Sequence, residues 1–188
     1  MFLKERNYLQ VLNSETGNLR KGKYFSSGRL MNLEIKECRN AEIVKHLVYE
    51  LRKLENAFDI ELKDAKEITE KLVKWMNKKL KSPNTFLFVA FYKNKAIAYI
   101  FGWIEKRSKN YWKENKYGYI CDLFVKKEFR RKGIGKILLE KAENWFKEKR
   151  IKSVHLEAYA ENPYIGFYEK MKYKKLSIRF VKHFSQNN

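Results

Sequence analysis

Apolar positions change their spacing several times along the chain, and each change marks an element. Leu33-Glu34-Ile35-Lys36 alternates with a period of two, which predicts a strand beginning near Met31. From Ala41 to Leu54 the apolar residues Ile43, Val44, Leu47, Val48 and Leu51 fall on one stripe of a helix. A second helix is predicted from about Asp64 to Leu80, burying Ile68, Leu72, Val73, Trp75 and Met76, and Ser82-Pro83-Asn84 ends it. Thr85 to Tyr92 and Ala96 to Ile104 are rich in aromatic and β-branched residues and joined by Lys93-Asn94-Lys95, the pattern of an antiparallel hairpin.

A third strand in this region runs from Tyr117 to Val125. Gly133 to Lys149 is strongly helical, with Ile134, Ile137, Leu138, Ala142 and Trp145 on one face. A strand over Val154 to Tyr159, a short helix over Pro163 to Met171 and a last strand over Leu176 to Val181 complete the chain. The order is therefore β-α-α-β-β-β-α-β-α-β. The β-α-β unit from Tyr117 to Tyr159 requires a parallel crossover while the hairpin before it is antiparallel, so the sheet of this α/β chain is mixed, with helices on its faces.

Residues 1–30 follow no sustained period and collect turn formers, among them Asn13, Ser14, Gly17, Gly22, Ser27 and Gly28. They read as a poorly ordered N-terminal extension or a segment folded back as a lid, with one compact domain over 31–188.

With 188 residues, 44% hydrophobic, the chain is long and apolar enough to bury a sizeable core. Thirteen Phe, twelve Tyr and four Trp exclude disorder over the whole length. Forty-two Lys and Arg against twenty-two Asp and Glu give a net charge of +20, an attraction for anions that a nucleic acid, an anionic membrane surface or a polyphosphate cofactor would each satisfy. Cys38 and Cys121 are too few for a disulfide scaffold and lie in no metal-ligand spacing, so no metal is expected and a reducing compartment is the natural setting. The most apolar stretch, Ala96 to Ile104, is half the length of a membrane span, and the N-terminus lacks the apolar run of a signal peptide. The expectation is a soluble cytoplasmic protein.

The segment that carries chemistry is Val125-Lys126-Lys127-Glu128-Phe129-Arg130-Arg131-Lys132-Gly133-Ile134-Gly135-Lys136, where a strand ends, a basic loop turns and a helix opens. A helix start offers unpaired amides and partial positive charge, which suits an anion. Gly133 and Gly135 admit a phosphate to the backbone, and Arg130, Arg131 and Lys132 add charge around it. A dinucleotide fingerprint would want Gly where Leu138 stands. A phosphate loop of the nucleotide-hydrolysing kind would want Ser or Thr at Ile137.

Arg130-Arg131-Lys132-Gly133-Ile134-Gly135 resembles the acetyl-CoA signature of the GNAT superfamily of N-acetyltransferases. Tyr119 to Val125 is similar to that family's fourth strand, Gly133 to Lys149 to its third helix, and Asn162 with Phe167-Tyr168-Glu169-Lys170-Met171-Lys172-Tyr173 to its C-terminal signature. The resemblance implies a mixed, mostly antiparallel central sheet with helices on both faces. It also implies transfer of acetyl from acetyl-CoA, as co-substrate, to a primary amine: a small molecule, a protein N-terminus or a lysine.

Carried onto this chain, the resemblance has Leu123, Phe124 and Val125 lend backbone groups to the pantetheine arm, while the loop from Arg130 through Arg131, Lys132, Gly133, Ile134 and Gly135 to Lys136 holds the pyrophosphate. Asn162 would contact the pantetheine or the turn beside it, Lys170 would approach the 3′-phosphate, and Tyr168 would protonate the departing thiolate. Asp122 and then Glu157 are the candidates for the base. Cys121 is assigned to the strand and not to nucleophilic catalysis. A homodimer is implied by analogy with the family. The alternative reading is a basic module that keeps the fold without catalysis and binds nucleic acid through its charged surface.

Overall fold

The computed structural model describes residues 20–26, 29–108 and 111–184, with side chains from Asn32 onward. The chain divides into two compact units, 1–157 and 158–188.

In the first unit a six-stranded sheet runs in the order of the sequence: β1 (Arg20–Ser26), β2 (Arg29–Glu37), β3 (Thr85–Tyr92), β4 (Lys95–Lys106), β5 (Lys116–Val125) and β6 (Val154–Leu156). All neighbours are antiparallel except β5 and β6, which the crossover helix makes parallel. Lys93 and Asn94 both take positive φ, 49° and 61°, the two-residue turn whose twist suits a β3–β4 hairpin.

The helices form where the apolar stripes placed them. A short 3-10 turn (Ala41–Val44), capped by the Asn40 side chain, leads into α1 (Lys45–Glu55). Asp64 caps α2 (Ala65–Lys79) by accepting from the Lys66 amide at 2.8 Å. These two pack on one face of the sheet, where Leu47, Val48, Val73 and Met76 meet Leu87, Val89, Tyr99, Phe101 and Phe124. On the other face α3 (Ile134–Glu148) sets Trp145 and Phe146 against Phe86. Gly118 of β5 is required there, because a Cβ would come within 2.7 Å of the Phe146 ring. β3 is buried on both faces, which explains its unbroken apolar run.

The mixed, mostly antiparallel sheet with helices on both faces is thus present, with three differences from the expected order. Residues 20–26, within the expected extension, form β1 and pair with β2 from Arg20↔Ile35 to Ser26↔Arg29, whereas 1–19 lie outside the described residues. β6 is half the expected length, because its partner β5 stops pairing with it after Ile120↔Leu156.

The last strand, expected over Leu176 to Val181, is absent. In the second unit α4 (Ile165–Lys170) is followed by an irregular segment in which Leu176, Ile178 and Phe180 are 80%, 72% and 88% exposed. Their alternation specifies two faces but supplies no neighbour, and a strand without hydrogen-bonded edges does not form on pattern alone.

Candidate active site

The sheet opens between β5 and β6. Pairing runs from Gly118↔Val154 to Ile120↔Leu156 and then ends, leaving the outer edge of Cys121 to Val125 without a strand partner among the described residues. At the same place β5 changes its relation to β4. Phe101 pairs with Asp122 and Gly102 with Ile120, so Cys121 is an extra residue, a β-bulge. Residues 118 and 124 would otherwise face the same side. The extra residue sends Gly118 toward Phe146 of α3 and Phe124 into the core under α1 and α2. Asp122 follows Phe124 to the α1 side.

There Asp122 enters a buried charged cluster. Its Oδ1 accepts from Arg52 of α1, and its Oδ2 from the Tyr99 hydroxyl of β4 at 2.9 Å. The other Arg52 terminal nitrogen forms an ion pair with Glu55 Oε2 at 2.6 Å. Asp122 is only 7% exposed. Asp122, the first candidate for the base, is thus held in an ion pair with Arg52.

The electrostatics follow from this burial. Desolvation pushes the Glu55 carboxyl up to about 7 against the pull of Arg52, and the Asp122 charge adds to the rise. Burial also raises Tyr99 well above the usual phenol range, with Asp122 adding to it. The Cys121 thiol is likewise pushed up, first by burial and then by Asp122, so it stays protonated and is no nucleophile. For Arg52, burial works against the charge but Asp122, Tyr99 and Glu55 outweigh it.

Tyr119 lies across from Trp103, with rings 5.0 Å apart. Burial and then the Glu157 charge raise it to about 12. Glu157 itself is exposed just beyond β6.

Below the opening, β5 runs through a turn into α3. Leu123, Phe124 and Val125 form the last part of the unpaired edge. Arg130 folds back onto it, donating from Nε to the Val125 carbonyl at 2.8 Å with its guanidinium 5.6 Å from the Phe124 ring, so its side chain holds the strand end. Arg131 takes φ 61° and Gly133 φ 77°, two left-handed residues that turn the chain into the helix. No side chain caps α3; the first amide bonded inside it is that of Ile137, to the Gly133 carbonyl at 3.1 Å. The amides of Gly133, Ile134, Gly135 and Lys136 precede that bond, and helix geometry gives them no carbonyl. With Arg131 and Lys132 beside them they form a donor set that fits a pyrophosphate.

In the second unit Asn162 accepts from the Tyr164 amide at 2.9 Å and so shapes the turn into α4. Tyr168 is half-buried, its ring 5.2 Å from Phe167 and 6.2 Å from Tyr173. Lys170 is exposed at the end of α4.

Sequence reasoning missed Arg52, Glu55 and Tyr99. The signal was present: Val48, Arg52 and Glu55 continue the buried stripe of α1 at helical spacing. Among the described residues no helix is long and apolar enough to cross a membrane, and no group of three His, Cys, Asp or Glu is placed to hold a metal ion.

Comparison with known proteins agrees with this fold. Residues 46–173 match the model of the acetyltransferase (GNAT) family. No curated protein matches the chain. Among solved structures, a GCN5-related N-acetyltransferase from Ralstonia eutropha superposes with a TM-score of 0.67 at 20% identity, over 81% of this chain and 99% of that one. A predicted acetyltransferase with acetyl-CoA from Clostridium acetobutylicum gives 0.64 at 18% identity, over 80% and 96%. An aminoglycoside N-acetyltransferase in complex with CoA gives 0.58 at 15%, over 86% and 100%. By its family model and its fold, the chain belongs to the acetyltransferase (GNAT) family and is an acyltransferase.

Proposed function

We propose that the protein moves an acetyl group from acetyl-CoA to a primary amine, by direct attack of the amine while both are bound. One observation carries this reading: the unpaired edge of β5 leads through a single basic turn, residues 126–133, into the uncapped start of α3. An extended chain ending in a pyrophosphate has that shape and that charge.

Leu123, Phe124 and Val125 bind the pantetheine arm through their backbone, as an added strand would be bound. Arg131 to Lys136 hold the pyrophosphate by their amides, while Arg130 keeps the strand end in place. Asn162 fixes the turn before α4, and Lys170 supplies charge for the 3′-phosphate. Tyr168 gives a proton to the departing thiolate, which a protonated phenol does well at neutral pH. Asp122 holds Arg52, and Glu157 contributes negative charge for an incoming ammonium. The acceptor is a small amine, a protein N-terminus or a lysine, and the setting is the cytoplasm.

The test is release of CoA thiol on mixing the protein with acetyl-CoA and a panel of primary amines. Amine-dependent thiol release is expected, and Tyr168→Phe should slow it while leaving acetyl-CoA affinity nearly intact. Thiol release that is independent of any amine across the panel would refute the reading.

A further inference from the structure

An amine attacks a thioester only with its lone pair free. An alkylamine with a pKa near that of lysine, about 10.4, is almost wholly ammonium at neutral pH, so a base must take a proton first. Asp122 is buried, with one oxygen bound by Arg52 and the other by the Tyr99 hydroxyl. Glu157 is exposed to solvent, and no ion pair or hydrogen bond to its carboxylate is found among the described residues.

Glu55 is placed differently. It ends α1, and its Oε2 is fixed by Arg52 while the side chain keeps 20% of its surface open. Arg52 also binds Asp122, the residue next to the Cys121 bulge, so an ion pair and a hydrogen-bonded ion pair in series tie Glu55 to the point where β5 leaves β6. We propose that Glu55 is the group that accepts the proton of the acceptor's ammonium, an inference that rests on the acetyl-transfer reading.

The described charged and titratable groups that act on it are Arg52 from its own helix and Asp122 and Cys121 from β5, with Tyr99 of β4 one step further away, bonded to Asp122. Burial raises Cys121 and Tyr99, so both stay protonated, Arg52 stays charged, and Glu55 is pushed up to about 7. A carboxylate with that affinity for a proton is a better base than an exposed one.

The step balances. The Glu55 carboxylate takes one proton from the ammonium, the freed nitrogen forms a bond to the acetyl carbon, and the carbon–sulfur bond breaks. Sulfur receives a proton from Tyr168, the second amine proton restores the phenol, and Glu55 passes its proton to water.

Glu55→Gln keeps the size of the side chain and an oxygen for Arg52, and it separates the possibilities. Native and variant proteins are assayed with ethylamine, which is charged at pH 7, and with 2,2,2-trifluoroethylamine, whose fluorines leave it neutral. The variant should lose about a hundredfold or more in kcat/KM with ethylamine, and at least about tenfold less than that with the fluorinated amine. Equal losses with both amines would mean a structural role, and no loss with either would mean another base; both overturn the proposal while acetyl transfer stands. Transfer by the native protein to no amine of the panel, these two included, would overturn the acetyl-transfer reading itself, and this one with it. Infrared titration of the two proteins needs no acceptor: a carboxylic-acid band that vanishes as pH rises through 7 should be present in the native protein and missing in Glu55→Gln. Its absence from the native protein would also overturn the proposal.

Discussion

A carboxyl kept as a base in a desolvated cluster costs stability, and Glu55 allows that cost to be worked out. Its carboxyl is raised from 4.5 to about 7 in the folded chain, chiefly by burial. Below 4.5 it is protonated in both states and the folded protein suffers no penalty. As pH rises from 4.5 toward 7 the unfolded chain releases its proton while the folded chain retains it, so stability falls across this window and stays lowered above it. At about 1.4 kcal/mol per pH unit the rise corresponds to ~3 kcal/mol for a dry site. The side chain is 20% exposed, and solvent screening reduces this to about 2 kcal/mol.

Glu55→Gln removes the ionisation and keeps the shape. Urea unfolding of native and variant proteins from pH 5 to pH 8 should show the variant gaining on the native chain by about 2 kcal/mol as pH rises. A substitution that slows the reaction would then strengthen the fold, as expected where function maintains a strained group. A stability difference that does not change between pH 5 and pH 8 would mean that Glu55 ionises as an ordinary surface carboxylate, and the burial argument would fail.

Asp122→Ala should destabilise by about 3 kcal/mol, because Arg52 loses its buried partner and the Tyr99 hydroxyl its acceptor, while Glu55 still holds one Arg52 nitrogen; urea unfolding within about 1 kcal/mol of the native chain would contradict this. Gly118→Ala puts a methyl where Phe146 ring atoms already stand at 2.7 Å, and overpacking of that kind costs about 1–3 kcal/mol. Thermal unfolding should register the loss, and an unchanged midpoint would show that α3 yields easily.

The sequence made the helices and the β3–β4 hairpin legible because their apolar periods are clean and their punctuation explicit, from the Asp64 cap to the Lys93-Asn94 turn. The loop proposed to hold an anion was legible for the same reason: a basic loop, a glycine that takes positive φ, and a helix start lie together in the chain. The bulge was not. Tyr117 to Val125 reads as an unbroken strand, and only pairing with β4 reveals that Cys121 is extra and that Asp122 turns to α1. Arg52 and Glu55 fall at the spacing of the buried stripe of α1, but a reading of that stripe by its apolar residues alone passes over them. The segment from Leu176 to Val181 has the alternation of a strand but no neighbour pairs with it among the described residues. Net charge chose no partner, since phosphates of every kind answer to it.

The central claim is that the β5 edge and the start of α3 together hold acetyl-CoA, and calorimetric titration of the native protein and Gly135→Glu tests it most directly. A glutamate in the first turn of α3 favours the helix dipole, so the variant should fold, yet its charge repels a pyrophosphate. Micromolar binding of acetyl-CoA to the native protein, absent with NAD or ATP and lost in Gly135→Glu, is the predicted result. No binding to the native protein, or equal binding to the variant, would contradict the account.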